Sequence, residues 1–380
     1  MVKEEGLDII HKAAGLAFMR YACGSGANYR RVYQLMTSVS RHFESYMRSL
    51  LDGPGLASYD ELRKARLMKR KYVAYSAYMA TLSSYPLLAP RAGLREMAST
   101  IMAKMSLITG IKVLDNINDS LHSWEEAVKS LDRQYEAVST GGFQPVEGDD
   151  IKARAENSSL LISALVHRWL EREAANASKA REIFLEDLRR YIEGQKLSFS
   201  QQSVEHREKI DIYTYLRNVN EKSIGRIWVD LDLCMLEQTV AELDERVIYE
   251  LREAFDYLFK SCNIYDDVAD LDVDMAAGIW NSVVYLGMEK GVSRGFEGVD
   301  RGLLRDTVRL GDLHYLKAVN AARRLGERLS FDVEGLLRCF TALRYFVMRK
   351  WFFRTKNPLD IIDFVNVRVT PEIMAYAGRL

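Results

Sequence analysis

Two stretches of the 380-residue sequence gather carboxylates at a spacing that could hold a divalent metal. The first reads KVLDNINDSLHSWEE (112–126). Asp115 and Asp119 are four apart, so on a helix they share a face, which His122 and Glu126 continue. Leu114, Ile117, Leu121, Trp124 and Val128 form the opposite, apolar face. The second stretch reads NIYDDVADLDVD (263–274). Asp266, Asp270 and Asp274 are again spaced by four, Asp267 flanks them, and Ile264, Val268, Leu271 and Met275 lie on the other side. No lysine or arginine lies among these aspartates; the nearest in sequence are Lys260 and Lys290. Like charges at i,i+4 destabilise a helix by a few tenths of a kcal/mol per pair, and a surface helix ordinarily intersperses lysine.

A solvated face is the plain alternative for each stretch, and it is weaker for the second. Stacked carboxylates without a counter-charge point instead to a divalent cation. An all-oxygen donor set favours Mg²⁺ or Mn²⁺ over zinc. An EF-hand over 270–281 is excluded, because Met275 stands where the loop needs glycine and Asn281 where it needs glutamate. Mg²⁺ keeps several waters and bridges a few carboxylates to substrate phosphates. Two carboxylate faces opposed across a helical bundle could therefore clamp a diphosphate.

The elements that would position these faces read as helices. Only six prolines occur, and none lies between Pro145 and Pro358, which permits long helices. In 244–271, Val247, Leu251, Phe255, Leu258, Cys262 and Val268 recur at helical steps and form one apolar stripe. Segments near 8–22, 28–51, 58–83, 93–138, 158–176, 178–204, 211–238, 244–290, 302–328 and 333–352 read likewise, some of them with internal breaks. Breakers cluster at 23–28, 52–58, 139–150 and 291–298, and the loop at 139–150 is the best internal break. We expect one all-α domain over 1–380.

Composition agrees: 48% hydrophobic and 28% charged residues fit a soluble globular chain. Basic and acidic residues balance at 53 each, which argues against a general grip on nucleic acid. Cys23, Cys234, Cys262 and Cys339 are scattered, as reduced intracellular thiols would be. With no signal peptide and no run of ~18 apolar residues, the expected location is cytoplasmic.

In this setting the sequence resembles the class I isoprenoid synthase superfamily, most closely the trans-prenyltransferases, or polyprenyl diphosphate synthases. LDNIND (114–119) resembles the first aspartate-rich motif, with Asp115 and Asp119 at its ends. EGQ (193–195) resembles the glycine–glutamine step, which carries Gln195. YLRNVNEKSIG (215–225) resembles the segment with a tyrosine and then Lys-Thr/Ser, which places Tyr215, Lys222 and Ser223. IYDDVADLD (264–272) resembles the second motif, with Asp266, Asp267 and Asp270 as its DDxxD, and 274–291 resembles the helix downstream. Asn116 replaces the second aspartate of the first motif, and the paired arginines that follow it in the family are missing. The basic run RKARLMKRK (63–71) lies at a plausible distance for a second-substrate segment but does not match it. LDNIND and NIYDDVAD also resemble the motifs of squalene and phytoene synthases.

The resemblance implies an isoprenoid synthase-like bundle of about ten helices around a central cavity. It implies a Mg²⁺-dependent enzyme, a prenyltransferase or class I terpene synthase, that ionises an allylic prenyl diphosphate. Asp115, Asp119, Asp266, Asp267 and Asp270 would hold the metal, and Lys222 would contact the diphosphate, with Arg217 and Arg226 as weaker candidates. Tyr215, Phe255, Phe259 and Tyr265 are candidates to face the allylic cation, Tyr215 foremost. Gly110 and Ile111 stand where bulky aromatics block growing chains in the family, which implies a pocket open to twenty carbons or more. Chain elongation ranks first, ahead of head-to-head condensation and cyclisation; a non-catalytic prenyltransferase-like subunit is the contrasting reading. The resemblance also implies a homodimer, and a lipid product implies peripheral membrane contact.

Overall fold

The computed structural model describes residues 17, 20–22, 24, 26–200, 210–240, 243–326, 332–355 and 366–378. Fifteen helices run through them: α1 (Gly26–Leu50), α2 (Tyr59–Lys64), α3 (Arg70–Leu88), α4 (Leu94–Leu121), α5 (Trp124–Thr140), α6 (Ile151–Glu173), α7 (Ser178–Ser200), α8 (Ile212–Glu221), α9 (Gly225–Thr239), α10 (Glu245–Ala269), α11 (Leu271–Ala277), α12 (Ser282–Glu289), α13 (Arg301–Leu325), α14 (Val333–Thr355) and α15 (Pro371–Met374). No strand occurs among the described residues. The helix expected near 8–22 and the thiol of Cys23 fall largely outside them.

Several segments that read as single helices are broken, and the breaks have local causes. The segment 93–138 divides at His122, where Ser123 accepts from the Glu126 backbone while Glu126 caps the Ser123 N–H, a closed capping box that starts α5. The segment 244–290 divides twice. Asp270 closes α10, and Gly278, at φ +69°, ends α11 in the left-handed region that a side chain rarely adopts. Pro86, by contrast, sits inside α3. The loop at 139–150 is present, with Gly141 capping α5 at φ +75° and Asp150 capping α6.

One large apolar core joins α1, α3, α4, α6, α7, α9, α10 and α14, with Phe43, Met47, Ile101, Trp228, Phe255 and Phe340 among its filled positions. A second cluster gathers Tyr215 and Leu216 of α8, Ile264 and Val268 of α10, Tyr285 of α12 and Leu310 of α13. The long helix α4 is apolar and long enough to cross a membrane, yet its most apolar stretch is 72% buried inside the bundle. It is a core helix with one charged interior position. Lys104 is fully buried and ion-paired to Asp232 of α9, and it also donates to Ser84 at 2.9 Å. Trp228 donates to Ser83 at 3.0 Å in the same polar island.

Candidate active site

Both aspartate groups lie at helix C-termini. Asp115 and Asp119 occupy the last two turns of α4, and Asp266, Asp267 and Asp270 occupy the end and cap of α10. A helix C-terminus carries the negative end of the peptide dipole, so carboxylates there are disfavoured by roughly 0.3–1 kcal/mol each unless a cation compensates. Two such ends at one place are a stronger sign of cation binding than the spacing alone.

On the first group, Lys112 donates to Asp115 at 3.0 Å, so this aspartate has a counter-charge one turn back. Burial and the neighbouring Asp115 push the Asp119 carboxyl up to about 6, against the pull of Lys112 and Lys222. Asn116 leaves the metal-facing line altogether, donating through Nδ2 to the Leu67 carbonyl at 2.9 Å and the Lys112 carbonyl at 2.7 Å. His122 and Glu126 do not continue the acidic face as the spacing implied. His122 turns inward to Glu156 at 3.2 Å and to Asn118 at 2.6 Å, and Glu126 serves the α5 cap and Lys152.

On the second group, Asp267 is tightly held. Its Oδ2 accepts from Tyr215 Oη at 3.1 Å and from the Ser282 N–H at 3.0 Å. Burial nonetheless raises its carboxyl to about 6, with Lys222 pulling the other way. Asp274, which continues the four-residue step but is not among the ligands the resemblance implies, belongs to this group. Burial raises its carboxyl, the charges of Asp270 and Asp266 raise it further, and Asn281 and Lys222 oppose them. Asn281 fixes it, donating to Asp274 Oδ2 at 2.7 Å and to the Asp267 carbonyl at 3.0 Å while its own Oδ1 caps α12. Asp272 is exposed.

Lys222 links the two groups. It sits between α8 and α9, donates to Ser198 of α7 at 2.9 Å, and its charge acts on Asp119, Asp267 and Asp274 together. Gly225 sets its position: a Cβ there would lie 2.3 Å from the Phe255 carbonyl, so only glycine lets α9 approach the α10 backbone this closely. Ser223 is buried and its hydroxyl accepts from the Gly225 N–H at 3.3 Å, which shapes the same turn.

The other residues singled out from sequence divide. Tyr215 stacks on Tyr285 with centroids 4.7 Å apart and lies at the second group through Asp267. Gln195 donates to Tyr191 Oη at 2.7 Å, and Tyr191 lies beside the Lys112–Asp115 pair, whose charges act on its phenol. Arg226 pairs with Asp256 at 3.2 Å, next to the buried Asp187 and Asp230, and so serves a different carboxylate cluster. Tyr265 is committed elsewhere, donating to Asp312 at 2.7 Å and accepting from Arg344. Phe255 and Phe259 pack in the core against Phe340 and Trp228. Gly110 is a helix–helix contact: a Cβ there would lie 2.3 Å from Ser163 Oγ of α6, and its carbonyl accepts from Ser159 at 2.8 Å. Ile111 is buried beside it. Tyr191 and Asn281 were missed from sequence as site residues, with no local signal to flag them, while Asp274 was seen on the four-residue step but left out of the expected ligand set.

Among the described residues no group of three or more His, Cys, Asp or Glu is placed to hold a metal ion by itself. The donor set is nonetheless suited to Mg²⁺, which takes one or two carboxylates and completes its shell with water and phosphate oxygens. Asp119, Asp266, Asp270 and Asp274, crowded at two helix ends, would hold it. Two surface cavities of about 410 and 450 Å³ lie elsewhere, one against Glu245, Tyr249 and Arg324 and the other against Arg20 and Arg338.

No protein-family model and no curated protein sequence matches the chain. Solved structures do. A point mutant of the SVS_A2 protein, from ancestral sequence reconstruction, shares 13% identity over 84% of this chain and 85% of that one, with a TM-score of 0.54. The linalool/nerolidol synthase from Streptomyces clavuligerus, solved with 2-fluorogeranyl diphosphate, shares 15% identity over 85% of this chain and 98% of that one, with a TM-score of 0.49. The geranylgeranyl pyrophosphate synthetase from the archaeon Geoglobus acetivorans shares 12% identity over 81% of this chain and 99% of that one, with a TM-score of 0.49. At such identities the likeness is one of fold: the chain is an all-α bundle that shares its fold with the SVS_A2 protein.

Proposed function

We propose that the chain is a Mg²⁺-dependent isoprenoid synthase that ionises an allylic prenyl diphosphate and transfers the prenyl group in chain elongation. The observation that carries this reading is the placement of Lys222, whose single positive charge acts on the aspartates of both groups. Carboxylates of both groups gathered about Lys222, with Lys112 beside Asp115, suit a site that takes up Mg²⁺ and diphosphate together. When bound, Mg²⁺ would supply Lewis-acid neutralisation of the departing diphosphate. Lys222 donates to the same anion, adding positive charge where negative charge develops as the C–O bond breaks. Tyr215 and the Ser282 N–H hold Asp267 Oδ2 in place, and Asn281 holds Asp274, so the second group is fixed before substrate arrives. The buried ring pair of Tyr215 and Tyr285 supplies aromatic faces beside the aspartates, suited to an allylic cation.

The test supplies labelled allylic diphosphates of ten to forty carbons with Mg²⁺, with and without isopentenyl diphosphate. Elongation predicts a longer diphosphate only when the second substrate is present. Coupling of two allylic molecules without it, or a hydrocarbon or alcohol formed from one molecule, would replace elongation with head-to-head condensation or cyclisation. No release of diphosphate from any substrate would leave a non-catalytic, ligand-binding subunit.

A further inference from the structure

Lys112 shares the α4 face of the first aspartate group. Its Nζ donates to Asp115 Oδ2 at 3.0 Å, while it reaches Asp119, two turns along the same face, through its charge. The lysine is exposed and Asp115 partly buried, and both charges act on the buried phenol of Tyr191, which accepts from Gln195 at 2.7 Å. Asn116, between the two aspartates in sequence, spends its Nδ2 on the carbonyls of Leu67 and Lys112. The second group is built differently. The nearest lysine on α10, Lys260, bonds to Asp256 at 2.6 Å. Lys222 donates to Ser198 and acts on Asp267 and Asp274 through its charge. A metal ion bridging Asp115 and Asp119 would need the Asp115 oxygen that Lys112 holds, and it would lie beside the ammonium, which repels it. The tethered ammonium is always present, whereas Mg²⁺ must first give up part of a tightly held water shell to bind a carboxylate directly.

We propose that Lys112 stands in for a metal ion at the first aspartate group. It withholds Asp115 from the ligand set, so that this group takes up metal through Asp119 alone. The site then fills with one ion fewer than it would with both aspartates available. This rests on the proposed function for the metal and its diphosphate, and on the Lys112–Asp115 bond for the exclusion.

The test counts Mn²⁺ bound per chain, read from the loss of the free-ion paramagnetic resonance signal, in the full chain with inorganic pyrophosphate. Lys112→Met removes the charge and keeps the helix propensity of lysine, so α4 should hold. It should bind one Mn²⁺ more than the native chain, and Asp115→Asn added to it should remove that ion. Lys112→Gln is a second charge-free variant and should match Lys112→Met. Lys112→Arg keeps the cation and should keep the native count, as should Asp115→Asn alone. A helix tie without this role gives the same count in every variant. That result, or an extra ion that survives Asp115→Asn, would overturn the proposal. If the native chain binds no Mn²⁺ with pyrophosphate, the proposed function fails. An ion that then appears in the charge-free variants and is lost with Asp115→Asn would still uphold the exclusion, and its absence would overturn that too.

Discussion

Gly225→Ala tests whether the contact between α9 and α10 sets the position of Lys222. The new Cβ would lie 2.3 Å from the Phe255 carbonyl oxygen and 2.7 Å from its carbon, whereas ordinary contact begins near 3.4 Å. The obstacle is backbone, so no rotamer relieves it, and the two helices must part locally by about 1 Å. Overpacking of this kind costs ~1–3 kcal/mol, and the gain in helix propensity on leaving glycine returns at most about 1 kcal/mol. A net loss of about 1–2 kcal/mol is expected, read as a lower urea midpoint at unchanged m-value. Turnover should fall further than stability, by roughly 10²-fold, because Lys222 lies three residues before the shifted position and a ~1 Å misplacement of a site group costs about that much. Gly110→Ala is the control. Its Cβ also meets an atom at 2.3 Å, but that atom is Ser163 Oγ on a side chain that can turn away. Turning it away gives up the 3.2 Å hydrogen bond from Gln134, so stability should fall by about 1 kcal/mol while turnover stays near that of the native chain. The reasoning fails if Gly225→Ala keeps native stability and turnover, or if Gly110→Ala is the more damaging of the two.

Further outcomes follow from the buried charges. His314 is buried against Tyr257, with Lys260, Lys317 and Asp256 nearby, and burial lowers its imidazole to about 4. Its folded pKa lies below the unfolded value of about 6.5, so the unfolded chain binds the proton first and stability falls as pH drops from about 6.5 toward 4, by up to about 3 kcal/mol. Buried carboxyls such as Asp267 and Asp312 are raised and act with the opposite sign. The check is therefore the difference between the native chain and His314→Leu in urea midpoints from pH 7 to pH 5, where the variant should lose less. Lys104→Met should cost ~3–5 kcal/mol by stranding Asp232, and Lys104→Met/Asp232→Leu should recover most of it, as chemical denaturation would show.

How much of this was legible in the sequence depended on distance along the chain. The all-helical class and most helix limits follow from apolar periodicity and from the long stretch without proline, both local signals. The breaks at His122 and at 278–281 are local too, but they hang on a capping box and a left-handed glycine that periodicity passes over. The two aspartate groups were visible because their spacing is helical. Their partners were not. Asn281 reaches Asp274 through a turn, Tyr191 meets the Lys112–Asp115 pair from another helix, and Asn116 bonds to Leu67, forty-nine positions away. Arg226 and Gly110 show the reverse limit. Each sits near a motif in sequence, yet the helix turns the first toward Asp256 and packs the second on α6.

The central claim is that the ends of α4 and α10 serve one diphosphate with Lys222 between them. A crystal grown with Mn²⁺ and inorganic pyrophosphate tests it directly, since anomalous scattering locates the metal. Mn²⁺ is expected on the first aspartate group at Asp119 and on the second at Asp266 or Asp270, with pyrophosphate between the two groups and within hydrogen-bond reach of Lys222 Nζ. Metal confined to one group, or pyrophosphate bound away from Lys222, would contradict it.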